Sequence, residues 1–294
     1  MKRNLKKQAF VLLLMLLVPV FQTPLTAQTA PAAKTASEIQ EHKLESKLMA
    51  RAMPYRVIVP ASYAAKKDER FPVIYLLHGL TGHYSNWTDR TKVAEFAAGH
   101  KFIIVTPEGD NGWYSDSVTV PTDKYESYIV RELIPEIEKN FRVMADRDHR
   151  IIAGLSMGGY GSLKFGLKYP ELFSLVGSFS GALGASNFTE KSAGKMIGGG
   201  IDAIFGPEGS EARLGNDIFK MIREVTPEKL KAMPFIYQSC GTEDFLIQNN
   251  RDFLALMNEK KVPHEYREHP GVHDWVFWNA HVKEFLDVAS RRMK

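Results

Sequence analysis

Ser156 stands between two glycines in Gly154-Leu155-Ser156-Met157-Gly158, a G-x-S-x-G pattern. A serine hydroxyl becomes a nucleophile when a sharp strand-to-helix turn presents it and a neighbouring base takes its proton. The flanking glycines let the elements on either side approach closely. The same letters also suit a glycine-rich turn whose serine only caps a helix, so the surroundings decide. "HRIIAG" is a β-rich run ending at the first glycine, and "MGGYGSLKFGLKYP" reads as a helix beginning just after the serine. Tyr160, Leu163, Phe165 and Leu167 are available to pack that helix, and Pro170 lies past its end. A nucleophilic serine also needs a base, and an acid that orients the base. In proteins that carry a G-x-S-x-G nucleophile on such a turn these come later in the chain, acid before base, each after a strand. Thr242-Glu243-Asp244 follows the run "PFIYQSCG", and Val272-His273-Asp274-Trp275 follows "VPHEYREHPG". The reading is therefore Ser156 as nucleophile, Asp244 as acid and His273 as base, with Glu243 as the competing acid.

The tetrahedral oxyanion of such a reaction needs two backbone N–H donors. One is expected from Met157, the residue after the nucleophile, and one from Leu80 in the loop "YLLHGLTGHYSNW". Gly79 and Gly82 allow that loop to turn inward. Among the other histidines, His42 lies near the N-terminus, His100 and His149 in polar connections, and His281 inside a helical pattern. His264, His269 and His273 are spaced H-x4-H-x3-H, which superficially resembles a metal cluster. A spacing of five along a strand turns His264 and His269 to opposite faces, so no metal site is expected and the chemistry calls for no cofactor. Cys240 lies inside a β-rich run and reads as a small buried residue rather than a nucleophile.

These residues need a scaffold, and the chain supplies one by alternation. "YRVIVP", "PVIYLLHG", "KFIIVTPEG", "HRIIAG", "LFSLVGSFSG" and "PFIYQSCG" are short β-rich runs ending in Gly or Pro. Several are apolar on consecutive residues, as strands buried on both faces are. Helical patterns lie between them, including "DKYESYIVRELIPEIEKNF", in which Pro135 should kink or restart the helix. Strand–helix alternation predicts an α/β fold with a mostly parallel central sheet flanked by helices. One domain spanning 45–294 is expected. Residues 186–225 break the alternation and read as an insertion above the sheet, a candidate lid or pocket wall.

The N-terminus has another texture. Lys2, Arg3, Lys6 and Lys7 precede an apolar run from Ala9 to Phe21, and small and polar residues follow. Basic start, short apolar run and small-residue exit are the parts of a secretory signal peptide, expected to span 1–27 with cleavage after Ala27. A spanning helix needs about 20 apolar residues, so a stable membrane anchor is not expected. No cysteine lies near the cleavage site, which excludes a lipid-modified one. Residues 28–44 read as a flexible lead-in. The chain carries 38 Lys and Arg against 34 Asp and Glu, and loss of the four basic residues of the signal leaves no net charge. Nothing therefore points to nucleic acid as a partner. One cysteine in an exported chain forms no internal disulfide. The sequence does not set an oligomeric state.

Taken together, "YLLHGLTGHYSNW", "TPEGDNGWYSDS", "IIAGLSMGGYGSLKFGLKYPELFSLVGSFSG", "QSCGTEDFL" and "HPGVHDWVFW" resemble the esterase D and antigen 85-like branch of the α/β-hydrolases. That group includes feruloyl and acetylxylan esterases, tributyrin-type esterases, S-formylglutathione hydrolases and mycolyltransferases. The resemblance runs from about Leu48 to Phe285. It implies the α/β-hydrolase fold, the roles already given to Ser156, Asp244, His273, Leu80 and Met157, and an acyl pocket bordered by "GDNGWYSDS", with Trp113 as a wall. It implies an exported serine carboxylesterase acting on acetyl, feruloyl or short-chain acyl esters, either small molecules or esters linked to polysaccharide. The signal argues against S-formylglutathione hydrolase, whose substrate belongs to the cytosol. Acyl transfer to an alcohol would use the same residues, and a non-catalytic surface protein could use the same scaffold.

Overall fold

The computed structural model describes residues 37–198 and 200–293. The expected signal peptide, 1–27, and the start of the lead-in lie outside these residues. Eight strands form one sheet in the order β1-β2-β4-β3-β5-β6-β7-β8. They are β1 (Glu38–Ser46), β2 (Arg51–Val59), β3 (Val73–Leu77), β4 (Ile103–Pro107), β5 (Arg150–Leu155), β6 (Leu175–Phe179), β7 (Phe235–Gly241) and β8 (His264–His269). From β4 to β8 every neighbouring pair is parallel, whereas β1–β2 and β2–β4 are antiparallel. All residues of β3, β4, β5 and β6 are buried. That accounts for their unbroken apolar runs, since helices cover both faces.

Successive side chains on these strands serve different layers. Val73, Tyr75, Val105 and Ile152 join a core with the helices Tyr125–Tyr128, Ile134–Asn140 and Met157–Lys168. Ile74, Leu76, Ile104 and Ile151 join a second core with the helices Val93–Ala97 and Trp275–Arg292. Each fully buried aliphatic side chain is worth roughly 1.5–3 kcal/mol of transfer free energy, so the alternation specifies strand register as well as stability. Pro135 is accommodated rather than breaking its helix. A π-helical turn, Ile129–Leu133, directly precedes it, and the backbone stays helical from Tyr125 to Asn140.

One expectation fails. The flexible lead-in to residue 44 does not hold for Glu38–Ser46, which form β1 and pair along their whole length with β2. The domain therefore begins before residue 45. β1 is an edge strand, exposed on one side, with only Ile39 and Leu44 as aliphatic residues. An edge strand needs little burial, so it leaves little hydrophobic signal.

The insertion between β6 and β7 is a run of short helices: Glu190–Gly198, Ile201–Phe205, Glu211–Leu214, Ile218–Arg223 and Pro227–Ala232. Arg213 is its anchor. The guanidinium is buried and donates to the carbonyls of Ser186 (2.5 Å), Phe188 (3.0 Å) and Gly206 (3.2 Å) while pairing with Asp202.

Candidate active site

Ser156 sits between β5 and the helix Met157–Lys168 with φ 52° and ψ −114°. A non-glycine residue there is strained by about 1–3 kcal/mol. Backbone bonds on both sides hold it: its N–H donates to Phe179 O (2.9 Å), and its carbonyl accepts from Tyr160 (3.1 Å) and Ala182 (3.0 Å). The glycines have a steric reason. A Cβ on Gly158 would lie 2.6 Å from the backbone oxygens of both Leu77 and His78, and one on Gly154 would lie 2.5 Å from Gly158 O. The turn closes only because strand and helix can touch through bare backbone.

The structure brings Asp244 and His273 to this serine. His273 Nε2 lies 3.0 Å from Ser156 Oγ, and His273 Nδ1 lies 2.9 Å from Asp244 Oδ2. Asp244 is 2% exposed, and its Oδ1 accepts the Leu246 N–H at 2.8 Å. Burial pushes its pKa up, but hydrogen bonding and charge attraction from His273, with the Leu246 N–H, outweigh this and hold it below the usual carboxylate value. An ionised carboxylate only accepts, so it takes the proton-bearing Nδ1 and leaves Nε2 free to accept from the serine hydroxyl. Glu243 is exposed and does something else. Its Oε2 accepts the Gly271 N–H at 2.6 Å, bracing the turn that carries His273.

Leu80 lies on the cavity wall beside Ser156. Around it, Thr81, Gly82, His83 and Tyr84 all donate their N–H groups within the protein. Among the described residues neither the Leu80 nor the Met157 N–H has an acceptor, as suits donors kept for a ligand. A brace that sequence reasoning missed holds this loop. His78 is buried with its Nε2 3.0 Å from Glu108 Oε1, and Glu108 also accepts the N–H groups of Tyr84 (3.2 Å), Gly109 (2.9 Å) and Asp110 (2.8 Å). Burial raises the Glu108 pKa, but His78 and the backbone donors dominate and bring it to about 2. Only the placement of His78 and Glu108 just after β3 and β4 could have signalled the pair.

Over Ser156 and His273 opens a cavity of about 500 Å³. Trp113 lines it as expected, with Leu80, Phe188, Phe245, Trp275 and Trp278 as further apolar walls and Asn86 and Arg90 as polar ones. Trp113 stands edge-on to Tyr160 and Phe188, with ring centroids 5.9 and 6.4 Å apart. Its loop is tied down by Lys164, which donates to Tyr114 O at 2.7 Å and pairs with Glu126 at 2.9 Å. Phe188 comes from the insertion, which thereby forms a pocket wall.

His42, His100, His149 and His264 lie away from the cavity, whereas His83 lines it. His42 stacks on Tyr55, His100 stacks on Phe102, His149 pairs with Asp146, and His264 Nδ1 contacts Val262 O at 2.7 Å. Cys240 is buried in β7, and burial pushes its thiol up to about 12, so it is no nucleophile near neutral pH.

A family model described as an esterase matches residues 46–286. The chain belongs to this esterase family. An acetyl esterase of Caldicellulosiruptor saccharolyticus is 27% identical over 274 residues, covering 86% of this chain and 98% of that protein. An esterase of Mycobacterium tuberculosis is 30% identical over 237 residues, 74% of this chain and 51% of its own length. Among solved structures, a ferulic acid esterase superposes with a TM-score of 0.77 at 28% identity, covering 88% of this chain and 100% of that one. The fold is the α/β-hydrolase fold, and the protein is a carboxylic ester hydrolase.

Proposed function

We propose that this esterase hydrolyses acyl esters through Ser156, with His273 as general base and then acid and Asp244 orienting it. The observation that carries the reading is the continuous hydrogen-bonded relay from Asp244 through His273 to Ser156 Oγ at the floor of the aromatic cavity. His273 takes the serine proton as Oγ attacks the ester carbonyl. Leu80 and Met157 donate to the oxyanion, each donor worth about 2.7–4 kcal/mol of barrier. His273 then protonates the leaving alcohol, and water releases the acyl group from the acyl-enzyme by the same steps.

The substrate is an acetyl, feruloyl or short-chain ester, free or linked to polysaccharide. Aromatic walls accept an aromatic or short aliphatic acyl group, and the relatives named acetyl esterase and ferulic acid esterase support both acyl types. The basic start and apolar run before Gln28 support export, with removal of 1–27. The test is Ser156→Ala. It should abolish hydrolysis of p-nitrophenyl acetate and labelling by a fluorophosphonate while leaving the melting temperature within a few degrees. Full activity would overturn the assignment. A panel of methyl ferulate, acetylated xylan and a short-chain triglyceride would rank the substrates, and N-terminal sequencing of secreted protein should begin at Gln28.

A further inference from the structure

Lys164 lies in the helix that starts at the nucleophile, Met157–Lys168, and its side chain is fully buried. Burial strips an ammonium of its hydration, so a lysine at this place needs a reason. An ammonium has three donors, and all three are used. One goes to Glu126 Oε2 at 2.9 Å, one to Tyr114 O at 2.7 Å and one to Ser115 Oγ. The Ser115 hydroxyl in turn donates to Trp113 O at 3.0 Å. The ammonium therefore holds the carbonyls of both Tyr114 and Trp113, one directly and one through a hydroxyl. Burial pulls its pKa down to about 8 while Glu126 pushes it up, so the charged form prevails at pH 7.

The turn it grips is strained. Trp113 and Tyr114 are consecutive non-glycine residues, each at φ 50°, a left-handed backbone that aromatic residues seldom adopt. Trp113 faces the cavity over Ser156, while Tyr114 is buried and donates its hydroxyl to His78 O at 3.1 Å. The nucleophile helix lies close against this turn. A Cβ on Gly161 would sit 2.7 Å from the Tyr114 ring, and Tyr160 meets the Trp113 ring edge-on at 5.9 Å. Tyr160 and Lys164 are four residues apart and share one helix face, so one face holds both the ring and the backbone of the turn. An apolar side chain would fill the Lys164 position without the cost of burying a charge, but it would give the turn no donors.

We propose that Lys164 is a positioning residue for acyl selection: it clasps the strained Trp113–Tyr114 turn and so fixes Trp113 as the wall on which an aromatic acyl group packs. This rests on the reading of the Ser156 cavity as the ester site with Trp113 beside the acyl group. Lys164 touches no substrate and acts only through the turn. An acetyl group is too small to lean on that wall, whereas a feruloyl ring needs an indole held at a fixed angle to stack on or meet edge-on. Without the ammonium the two carbonyls lose their donors, the turn relaxes, and Trp113 moves with it. Loss of Lys164 does not strand its partner, because Glu126 Oε1 keeps Lys168 at 2.6 Å and the Tyr169 hydroxyl at 2.7 Å.

The experiment uses the whole protein and two esters with one leaving group, p-nitrophenyl ferulate and p-nitrophenyl acetate, so that only the acyl group differs. Lys164→Met keeps an unbranched side chain and removes the donors. It should lower the ratio of kcat/KM for ferulate over acetate about tenfold, with the loss falling on KM for the ferulate ester. Trp113→Ala should lower the ratio by a similar factor, and the double variant should lower it no further, because both changes remove the same wall. Ser115→Ala cuts the link to Trp113 O and leaves Lys164 its other two partners. It should lower the ratio about threefold, and it decides the matter if Lys164→Met does not fold. A lysine that served stability alone would depress both substrates alike, and its effect would multiply with that of Trp113→Ala. Either result, or a ratio unmoved by Ser115→Ala, would overturn the proposal. A ratio unmoved by Trp113→Ala would refute Trp113 as the acyl wall, and the proposal with it, while leaving the role of Ser156 intact.

Discussion

Asp244→Asn isolates what the acid does. The substitution keeps volume and shape, so packing around this buried residue survives. It leaves two ways to satisfy the site. The amide oxygen can keep the Leu246 N–H, 2.8 Å from Oδ1 in the native protein, and turn the NH2 toward His273 Nδ1. Alternatively the amide can flip, which sets NH2 against the Leu246 N–H and forfeits a buried bond, at about 1–3 kcal/mol. Moving the proton between the two nitrogens of neutral imidazole costs less than that, so the first arrangement wins. Nδ1 then accepts, Nε2 carries the proton, and the contact at 3.0 Å to Ser156 Oγ becomes a donation to the serine rather than from it. The base is present in the wrong tautomer. The expected loss in kcat is about 10³–10⁴-fold, or roughly 4–5.5 kcal/mol of transition-state stabilisation. KM for p-nitrophenyl acetate should change little, because Asp244 does not line the cavity. Initial rates at neutral pH, with a thermal melt of each variant, measure this. Glu243→Gln is the control and should stay within about twofold, as expected of an exposed group. A loss below tenfold in Asp244→Asn, or a comparable loss in Glu243→Gln, would refute the assignment of the acid.

Other consequences follow from the same geometry. Gly158→Ala forces a Cβ against two backbone oxygens at 2.6 Å, which should cost about 1–3 kcal/mol and lower the melting temperature by about 2–4 °C per kcal/mol. Glu108 has its pKa depressed from 4.5 to about 2, so its stabilisation is complete above pH 4.5 and is lost as pH falls toward 2, on the order of 3 kcal/mol in all. Denaturant titrations at pH 7 and pH 3 should therefore find Glu108→Gln more damaging at pH 7, and equal damage at both would exclude the brace. Phe188→Ala removes one aromatic wall and should lower kcat/KM for methyl ferulate about tenfold more than for p-nitrophenyl acetate. If both substrates suffer alike, the insertion does not select the acyl group.

Most of the sheet was legible because its strands are short apolar runs buried on both faces, bounded by Gly and Pro. The turn at Ser156 was legible for a related reason. Its glycines answer a contact between strand and helix that any turn of this kind must make, so the requirement is local and leaves a local mark. Asp244 and His273 could be placed because each directly follows a recognisable strand. β1 was missed because an exposed edge strand is not selected for hydrophobic alternation. Phe188 was missed because its position depends on how Arg213 gathers the carbonyls of the insertion.

By itself, then, the sequence determined the fold class, the candidate nucleophile and the chain order of its candidate partners, since strand burial, backbone contact and chain order each write a pattern into neighbouring residues. Only the tertiary structure decided between Glu243 and Asp244, by turning one toward Gly271 and the other toward His273. Only it joined His78 to Glu108, and Lys164 to Tyr114 and Ser115. Those groups come from loops and a helix separated in the chain. Side chains that meet across a fold need share no spacing, so their meeting has no signature until the sheet and its helices are packed.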